Sequence, residues 1–532
     1  MNIFGSALKQ FALGCSVCVL TCSPLAAALL VGIGQNFTGA TYQQDSVLSP
    51  ADANGAIGPN HFAELINGHY SVFKKTNGVR VQSMTDIAFW SHAGASVPAN
   101  WLVTDPRIVY DPSVQRWFAS MVDFDPSRHV KTNRFLLAIS ASADPTGVWK
   151  SIAFASDPSG AYFADFPTLG LDAQAVYLGA DFFDAAENPA GPTLVAIPKA
   201  DLLASTPSAA QRTSFGLLSY STRGDILQPV VALNEAGGGD VLAVGDLGRD
   251  FLPHSELIAS TILNSDGPDA SLSQPTVVSV PPYLVPINPP QPDGSKNLDD
   301  GDARLSALVY QVGGMVFAVH GTEVNHRAAI RWYRISATNH VLLESGTISD
   351  PVLDLFYPSI AANSNGVMMI GCNGSSLSSF VSAYAIAGET INGTTTFGSL
   401  LLLKSGMANY NVNPPQVSRW GDYSATSVDP TDPNRFWTIQ MYPSAPLVWS
   451  TQITELLTSR FQLSIVQTNT NVLVCWPVSA AGFQLQTTTS LSASNSWTLA
   501  PQARFTNDNQ ICVLAPASGS AQFFRLREGP GN

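Results

Sequence analysis

A pair of short strands joined by a turn recurs along this chain, and its clearest copy is Arg419 to Tyr442. Polar and apolar residues alternate from Asp422 to Val428, as they do in a strand with one buried face. Asp429 to Asn434 supplies the turn, because proline presets φ and Asp or Asn side chains bond the local backbone. Phe436 to Met441 is rich in aromatic and β-branched residues, which favour a second strand. The unit therefore predicts a β-hairpin.

About seven copies of this unit follow one another at intervals of roughly 50 to 75 residues. Repeats of around 40 to 50 residues, each with about four short strands, are typical of a β-propeller, whose blades bury their faces against one another. A tandem of β-sandwiches is the alternative. A charged fraction of only 12%, with 41 Gly and 36 Pro, also favours an all-β chain. The sequence predicts an all-β fold with an about seven-bladed β-propeller. The copies are Ala53–Ile66, Asp105–Met121, Asp165–Ala180, Leu227–Val244, Asp302–His320, Tyr357–Cys372 and Arg419–Tyr442.

The repeat is interrupted once and then ends near Leu457. Asn264 to Asp300 is rich in proline, which cannot join a central ladder, so we expect an outer strand and a surface loop between the fourth and fifth blades. Short strands from Phe461 to Glu528 predict a small C-terminal β-sandwich. Cys475 and Cys512 lie in two of these strands. They form either a disulfide or two small buried apolar side chains.

The N-terminus has the features of a secretory signal. Lys9 precedes an apolar run from Phe11 to Leu20, and Ala26 to Ala28 fits a cleavage site. A buried or membrane-spanning helix is the alternative. Gln35 to Pro50 is interpreted as a polar lead. The predicted organisation is thus a signal peptide at 1–28, a propeller at 50–457 and a C-terminal module at 460–530, in a protein that is secreted or held at the cell surface.

The formal charge of −13 and the absence of any basic run argue against a nucleic-acid partner. After the signal, no stretch of the sequence is long and apolar enough to span a bilayer. The predicted partners are an extracellular glycan or a surface protein.

Several segments resemble a family of exported bacterial proteins described as propeller-like and without an established activity. They are DANGAIGPNHFAELINGHYSVF, DPRIVYDPSVQRWFASM, GDARLSALVY and RWGDYSATSVDPTDPNRFWTIQ, and the likeness covers roughly residues 50 to 455. It implies the propeller fold and export, and no reaction. The tail, with GFQLQTTTSLSASNSWTLA, is similar to short C-terminal modules of secreted proteins from environmental bacteria, which implies an accessory or attachment role.

A more distant similarity is to sialidases, which are propellers with Asp-containing turns and an arginine triad. The Asp-box pattern Ser-x-Asp-x-Gly-x-x-Trp is absent in its strict form. Arg107-Ile108 is followed by Val109 where an Arg-Ile-Pro entry has proline. The similarity to sialidases is therefore limited to turns that contain aspartate.

The residues that begin the predicted inner strands are unusually polar, and they would ring one mouth of a propeller channel. Three arginines begin corresponding strands and could converge on an anion, since a guanidinium grips a carboxylate with two hydrogen bonds. Neighbouring carboxylates could serve as general acid and base. The alternative is that these charges pair with one another and hold adjacent blades in register. The candidate ligand-binding residues are Arg107, Arg304, Arg419, Asp105, Asp165, Asp302, Asp422, Tyr357 and Tyr423.

Two further expectations concern cofactors and function. Asp299 to Asp302 offers oxygen ligands for Ca²⁺, or is a solvated acidic loop; no residue spacing predicts another metal site. The predicted function is an exported binding or scaffold propeller, with a glycan at the channel mouth as its ligand. The alternative is a hydrolase or lyase acting on an acidic polysaccharide, so the sequence leaves open whether the protein is an enzyme.

The end of the repeat generates a first testable prediction. A chain that ends near Ser459 should remain soluble and unfold cooperatively, because the tail has its own strands and its own cysteine pair. Circular dichroism during thermal unfolding measures this. Aggregation of the shortened chain, or loss of its β signal, would mean that the tail is part of the propeller's closure.

Overall fold

The computed structural model describes residues 29–127, 133–233, 238–247, 252–412, 417–460, 463–468, 470–478, 481–490, 497–517 and 521–528. The predicted signal peptide, residues 1–28, lies outside the described residues. Contacts divide the chain into two compact units, one of them Leu30–Ser459 and the other containing the residues from Arg460 onward.

Strands make up most of both units, so the all-β prediction is confirmed. In the first unit they are β1 (Leu29–Thr41), β2 (Asn54–Ile57), β3 (His61–Ile66), β4 (His69–Lys74), β5 (Arg80–Met84), β6 (Leu102–Asp111), β7 (Arg116–Phe124), β8 (Arg134–Ser140), β9 (Trp149–Ala155), β10 (Phe163–Leu171), β11 (Ala175–Phe183), β12 (Pro189–Pro198), β13 (Thr213–Ser214), β14 (Asp225–Val231), β15 (Asp240–Val244), β16 (His254–Leu263), β17 (Ser271–Leu272), β18 (Thr276–Tyr283), β19 (Val309–Val312), β20 (Met315–Val324), β21 (Arg327–Ser336), β22 (Leu342–Ile348), β23 (Asp354–Ala362), β24 (Val367–Ser376), β25 (Ser379–Ile391), β26 (Thr394–Phe397), β27 (Leu401–Lys404), β28 (Ala425–Val428), β29 (Arg435–Ala445) and β30 (Val448–Arg460).

Helices are few and short in the described chain. They are α1 (Asp86–Ala93), α2 (Lys199–Leu203), α3 (Tyr220–Arg223) and a 3₁₀ turn at Pro292–Gly294. Thr85 caps α1 by accepting a hydrogen bond from the backbone N–H of Ala88, and Gly94 ends that helix in the left-handed conformation. None of the helices in the described part of the chain has the length and apolarity that a membrane crossing requires.

The strands of the first unit form seven consecutive antiparallel groups: β2–β5, β6–β9, β10–β13, β14–β18, β19–β22, β23–β27, and β28–β30 together with β1. No hydrogen-bonded sheet of the described residues closes on itself. However, the first strand of each group contacts the first strand of the next, and β28 contacts β2. Three of these first strands also pair in parallel, β10 with β14 and β14 with β19. The seven first strands are therefore arranged in a cycle.

An irregularity recurs near the start of these first strands. The register of pairing shifts at Asp105, Phe166, Ile226 and Tyr357, and each of these residues has φ between 44° and 60°. Asp52, two residues before β2, has φ 48°. A bulge of this kind bends the strand and changes the direction of a side chain. The residues that begin the first strands are thus held in a repeated, strained backbone conformation.

Strand β1 corrects the interpretation of Gln35 to Pro50 as a polar lead. This segment pairs with β30 and completes the seventh group. The backbone N–H of Ala40 donates to Thr451 Oγ1 at 2.9 Å, and Thr41 Oγ1 lies 2.8 Å from Ser450 Oγ. This pairing was hard to predict, because β1 has a mixed pattern of polar and apolar residues and its partner is about 410 residues away.

The proline-rich segment after β16 contains the predicted outer strand, but its loop is more buried than the predicted surface loop. β18 is the predicted outer strand and pairs with β16. The loop that follows is anchored and partly buried, since Leu298 is fully buried and the Gln291 amide makes two hydrogen bonds to the backbone of Tyr410. These anchors hold the loop that carries Asp299 and Asp300.

The second unit contains two antiparallel sheets. One has the order β31–β32–β36–β35 and the other β34–β33–β37. Cys475 and Cys512 are directly opposite each other on β32 and β36 and form a disulfide. Of the two alternatives predicted for these cysteines, a disulfide or two small buried apolar side chains, the structure shows the disulfide. The strands are β31 (Ser464–Thr468), β32 (Asn471–Pro477), β33 (Phe483–Thr488), β34 (Thr498–Leu499), β35 (Arg504–Asn507), β36 (Gln510–Pro516) and β37 (Phe523–Glu528).

Glu64 on β3 generates a prediction about stability and pH. Its Oε1 accepts hydrogen bonds from Thr451 Oγ1 and the Ala40 N–H, while Oε2 has no partner among the described residues. Burial raises the pKa of this carboxyl from 4.5 to about 7. The folded state therefore binds the proton more tightly than the unfolded state, and the stability that this contributes is lost as pH rises from about 4.5 through 7.

Glu64→Gln should consequently increase the free energy of unfolding by about 2 to 3 kcal/mol at pH 8.5 and change it little at pH 4.5. Urea denaturation at the two pH values measures the difference. Glu323→Gln, at a partly exposed carboxylate, is the matched control. An equal effect of Glu64→Gln at both pH values would contradict the assignment.

Candidate functional site

A cavity of about 420 Å³ lies beside the starts of several of the first strands. It is lined by residues from β6 and β10, from the segments before β2, β19 and β28, and from the turn between β3 and β4. Four of its lining residues are aspartates and two are arginines: Asp52, Asp105, Asp165, Asp422, Arg304 and Arg419. We call this space the carboxylate cavity.

Three of the aspartates are close enough to share one small ligand. Carboxylate oxygens of Asp52, Asp105 and Asp422 lie within 4.8 Å of one another. Asp52 and Asp105 occupy the left-handed backbone conformation described above, which Asp tolerates better than most residues. Two of the three acidic residues that meet here, which come from separate groups, thus share this backbone conformation.

Hydrogen bonds across the groups fix this cluster. Asn67 Nδ2 donates to Asp52 Oδ2 at 2.8 Å, and Asn67 Oδ1 accepts from the Asp105 N–H at 3.0 Å. The backbone N–H of Asp422 donates to Asp52 Oδ1 at 3.0 Å. The N–H of Phe166 donates to Asp105 Oδ2 at 3.1 Å. Each of these two buried carboxylates therefore links its own group to another.

Burial and mutual repulsion change the protonation of these acids. Burial, with the nearby carboxylates of Asp165 and Asp422, raises the pKa of Asp105 to about 7. Burial, with Asp422 and Asp105, holds the pKa of Asp52 well above its usual range. The pKa of Asp165 is raised by burial and by Asp422, although Arg304 opposes the shift. Near neutral pH the cavity therefore holds protonated and ionised carboxyls together.

The two arginines that line the cavity are both engaged. Arg304 makes a two-point contact with Asp302, from Nε to Oδ1 at 2.8 Å and from Nη2 to Oδ2 at 2.7 Å. Arg419 donates from Nη2 to Asp422 Oδ1 at 2.6 Å and from Nη1 to the Gly421 carbonyl at 2.7 Å. The sequence placed both at one mouth, and the structure brings both to one cavity with carboxylate partners.

Arg107 is in a different position from the other two. It is fully buried, and it is absent from the lining of the carboxylate cavity. Its guanidinium carbon lies 3.6 Å from the centre of the Tyr423 ring and 5.2 Å from that of Phe166. Nε donates to the Pro167 carbonyl and Nη1 to the Ser306 carbonyl, so Arg107 ties three groups together beneath the cavity. Burial lowers its pKa from the usual value.

Tyr357 and Asp302 line a smaller neighbouring space of about 30 Å³, together with Asp300, Arg304 and Asp422. The Tyr357 hydroxyl and Asp300 Oδ2 are buried and have no hydrogen-bond partner among the described residues. Burial and the neighbouring Asp299 raise the pKa of Asp300 well above its ordinary value. A space of this size fits one water molecule.

The structure thus separates the nine candidate residues into three kinds. Asp105, Asp165, Asp422, Arg304 and Arg419 line the carboxylate cavity. Asp302 and Tyr357 lie beside it, and Arg107 and Tyr423 form its buried support. Among the described residues the carboxylate group with metal-ligand spacing is Asp52, Asp105 and Asp422, rather than the segment Asp299 to Asp302 considered for Ca²⁺.

Asn67 and Phe166 were missed at the sequence level. Asn67 precedes Gly68, and an Asn-Gly pair between two strands ordinarily indicates only a tight hairpin turn. Phe166 resembles any other apolar strand residue, yet the guanidinium carbons of Arg304 and Arg107 lie 4.5 Å and 5.2 Å from the centre of its ring. One sequence signal did mark Phe166, which lies between Asp165 and Pro167. Its position directly before a proline matches that of Asp105, which directly precedes Pro106.

No known protein-family model matches this chain, and no curated protein matches it significantly. Solved structures do show a distant likeness. A protein of unknown function from Dyadobacter fermentans is 10% identical over 79% of this chain and 96% of its own, with a TM-score of 0.33. A Trypanosoma rangeli sialidase is 10% identical over 66% of this chain and 54% of its own, with a TM-score of 0.34. The Dos1 propeller is 8% identical over 80% of this chain and 95% of its own, with a TM-score of 0.37. No activity follows from likenesses at this level.

The contrast between Arg107 and Arg304 can be tested by substitutions that keep the charge. Arg107→Lys should lower the free energy of unfolding by about 2 kcal/mol, because lysine cannot bond two separate carbonyls while stacking on Tyr423. Arg304→Lys should cost no more than about 1 kcal/mol, since its ion pair with Asp302 is partly exposed. Urea denaturation at pH 7 measures both, and equal costs would contradict the structural role of Arg107.

Proposed function

We propose that residues 50–457, completed by β1, form a seven-bladed β-propeller and that residues 460–530 form a separate C-terminal module of an exported protein. Seven antiparallel groups and the cyclic contacts of their first strands support the propeller. In such a fold the first strands line a central channel, and the carboxylate cavity is one mouth of it. The Cys475–Cys512 disulfide is compatible with an oxidising, extracellular compartment.

We further propose that the carboxylate cavity binds an extracellular glycan whose bound units are neutral or carry an amine. The observation that carries this is that four aspartates meet at the cavity while both of its arginines are already engaged by carboxylates. Carboxylate oxygens accept hydrogen bonds from sugar hydroxyl or ammonium groups. An acidic sugar would instead meet repulsion, because both lining guanidinium groups are already paired with carboxylates.

A hydrolase is the second candidate, and the state of Asp105 favours it. A carboxyl with a pKa of about 7 can donate a proton at neutral pH, and it lies within 4.8 Å of two other carboxyls. Glycosidases use a pair of carboxyl groups in this way, and those that pass through a covalent intermediate have the closer pair. Asp105 would then be the acid, and Asp422 the second carboxyl.

Binding can be tested by calorimetric titration of the full chain with three sets of oligosaccharides, composed of neutral hexoses, of hexosamines and of uronic acids. We expect binding of a neutral or amine-bearing set and none of the uronic acids. Asp422→Asn should weaken that binding at least tenfold. Asp432→Asn, in an exposed turn of the same group, is the matched control and should leave it unchanged. Preferential binding of uronic acids would overturn the proposed ligand class.

The same oligosaccharides distinguish a binding protein from a hydrolase. If the protein is a hydrolase, reducing ends should be released, and the rate should fall as pH rises above about 7 because Asp105 then loses its proton. Asp105→Asn should abolish release while the oligosaccharide still binds. Binding without release of reducing ends would leave the binding function and remove the hydrolase.

A further inference from the structure

The first strands have a second end, and another cavity lies there. It has a volume of about 390 Å³ and is lined by the last residues of β2, β6, β19, β23 and β28 or by residues just after them. On β6 the carboxylate cavity contacts Leu102 to Asp105, and this second cavity contacts Val109 and Tyr110. Tyr110 is five positions after Asp105 on this strand, which is roughly 16 Å. The two cavities are therefore distinct.

The walls of the second cavity are mostly apolar, and its described lining offers no unpaired charge. Asp429 is the one charged residue in its described lining. Lys75 Nζ contacts both oxygens of that carboxylate, at 2.7 and 2.6 Å, and Thr431 donates to it from its N–H and its hydroxyl. Because Asp429 is neutralised, an ionic ligand would lose its hydration without gaining a partner.

Two polar atoms in this lining are buried without a partner. Gln311 is 5% exposed and Ser427 8% exposed, and neither Gln311 Oε1 nor Ser427 Oγ has a hydrogen-bond partner among the described residues. Asn363, in the same lining, differs because its amide bonds the backbone of Pro433, Asn365 and Val367. A buried hydrogen-bond acceptor that has no donor raises the free energy of the folded protein. A ligand that supplies the donor would therefore bind more tightly.

We propose that this second cavity binds an uncharged, ring-containing small molecule that donates a hydrogen bond to Gln311 Oε1. Its volume lies within the range of small-molecule sites, and such sites combine apolar and aromatic walls with a few polar groups. Tyr110 and Tyr310 supply the aromatic side chains, and Ile57, Val109 and Val312 supply aliphatic ones. The proposal does not depend on what the carboxylate cavity binds.

N-phenyl-1-naphthylamine and 1-phenylnaphthalene are suitable probes, because both are uncharged and aromatic and only the first has an N–H donor. Their fluorescence, titrated with the full chain at pH 7, gives both affinities. We expect saturable binding of the amine, about fivefold tighter than that of the hydrocarbon, as one hydrogen bond provides. Gln311→Met should reduce this ratio to about one. Ser364→Trp, at the exposed rim, should weaken both probes about tenfold.

Two control variants make the result specific. Gln228→Met removes another buried glutamine whose Oε1 lacks a partner but which lies outside this cavity, so the ratio should persist. Asp422→Asn, in the carboxylate cavity, should also leave the ratio unchanged, which separates this proposal from that of glycan binding. Absence of saturable binding, or a ratio that survives Gln311→Met in a protein with unchanged near-ultraviolet circular dichroism, would overturn the proposal. Probe binding that is insensitive to Ser364→Trp would also overturn it.

Discussion

The strained backbone at the start of the first strands is the constraint on which the rest of the site depends. Residues in the left-handed region are uncommon unless they are Gly, Asn or Asp, and a bulky residue there is held only by its surroundings. Phe166, Ile226 and Tyr357 occupy this conformation alongside Asp52 and Asp105. Each such residue costs on the order of 1 to 3 kcal/mol. The contacts among first strands must offset that cost, so packing elsewhere determines where the carboxylates lie.

The carboxylates of Asp52 and Asp105 both link neighbouring groups of strands and line the carboxylate cavity. Asp52 accepts from the backbone of Asp422, and Asp105 accepts from the backbone of Phe166. Arg107 adds a third link below them through the carbonyls of Pro167 and Ser306. Oxygen atoms available to a ligand are therefore also atoms that hold neighbouring groups together. The proposed binding and the local stability would therefore share a set of interactions, and the mutual repulsion of the acids is the electrostatic cost of that arrangement.

The local pattern of polar and apolar residues was enough to predict the hairpins. It did not show how segments far apart in the sequence pack or pair with one another. The alternation in Asp422 to Val428 gave the correct strand type, with β28 beginning at Ala425. The polar residues at the starts of the predicted inner strands pointed to Asp105, Asp165 and Asp422, because this too is a local pattern. Whether an arginine faces a cavity or lies beneath one depends on packing between groups, so Arg107 and Arg304 were indistinguishable in sequence. Spacing likewise could not establish that Cys475 and Cys512 are opposite each other, because register is a property of paired strands.

The pairing of β1 with β30 has a consequence for the order in which the chain folds. β1 is made before β30, and its partner in that strand follows about 410 residues later. At synthesis rates of about 5 to 20 residues per second, that interval is roughly 20 to 80 seconds. During this time the hairpins of the other groups can form from neighbouring residues, but β1 has an unpaired edge, which is prone to pair with other chains. The pairing that completes the seventh group therefore cannot form until nearly all of the first unit has been made.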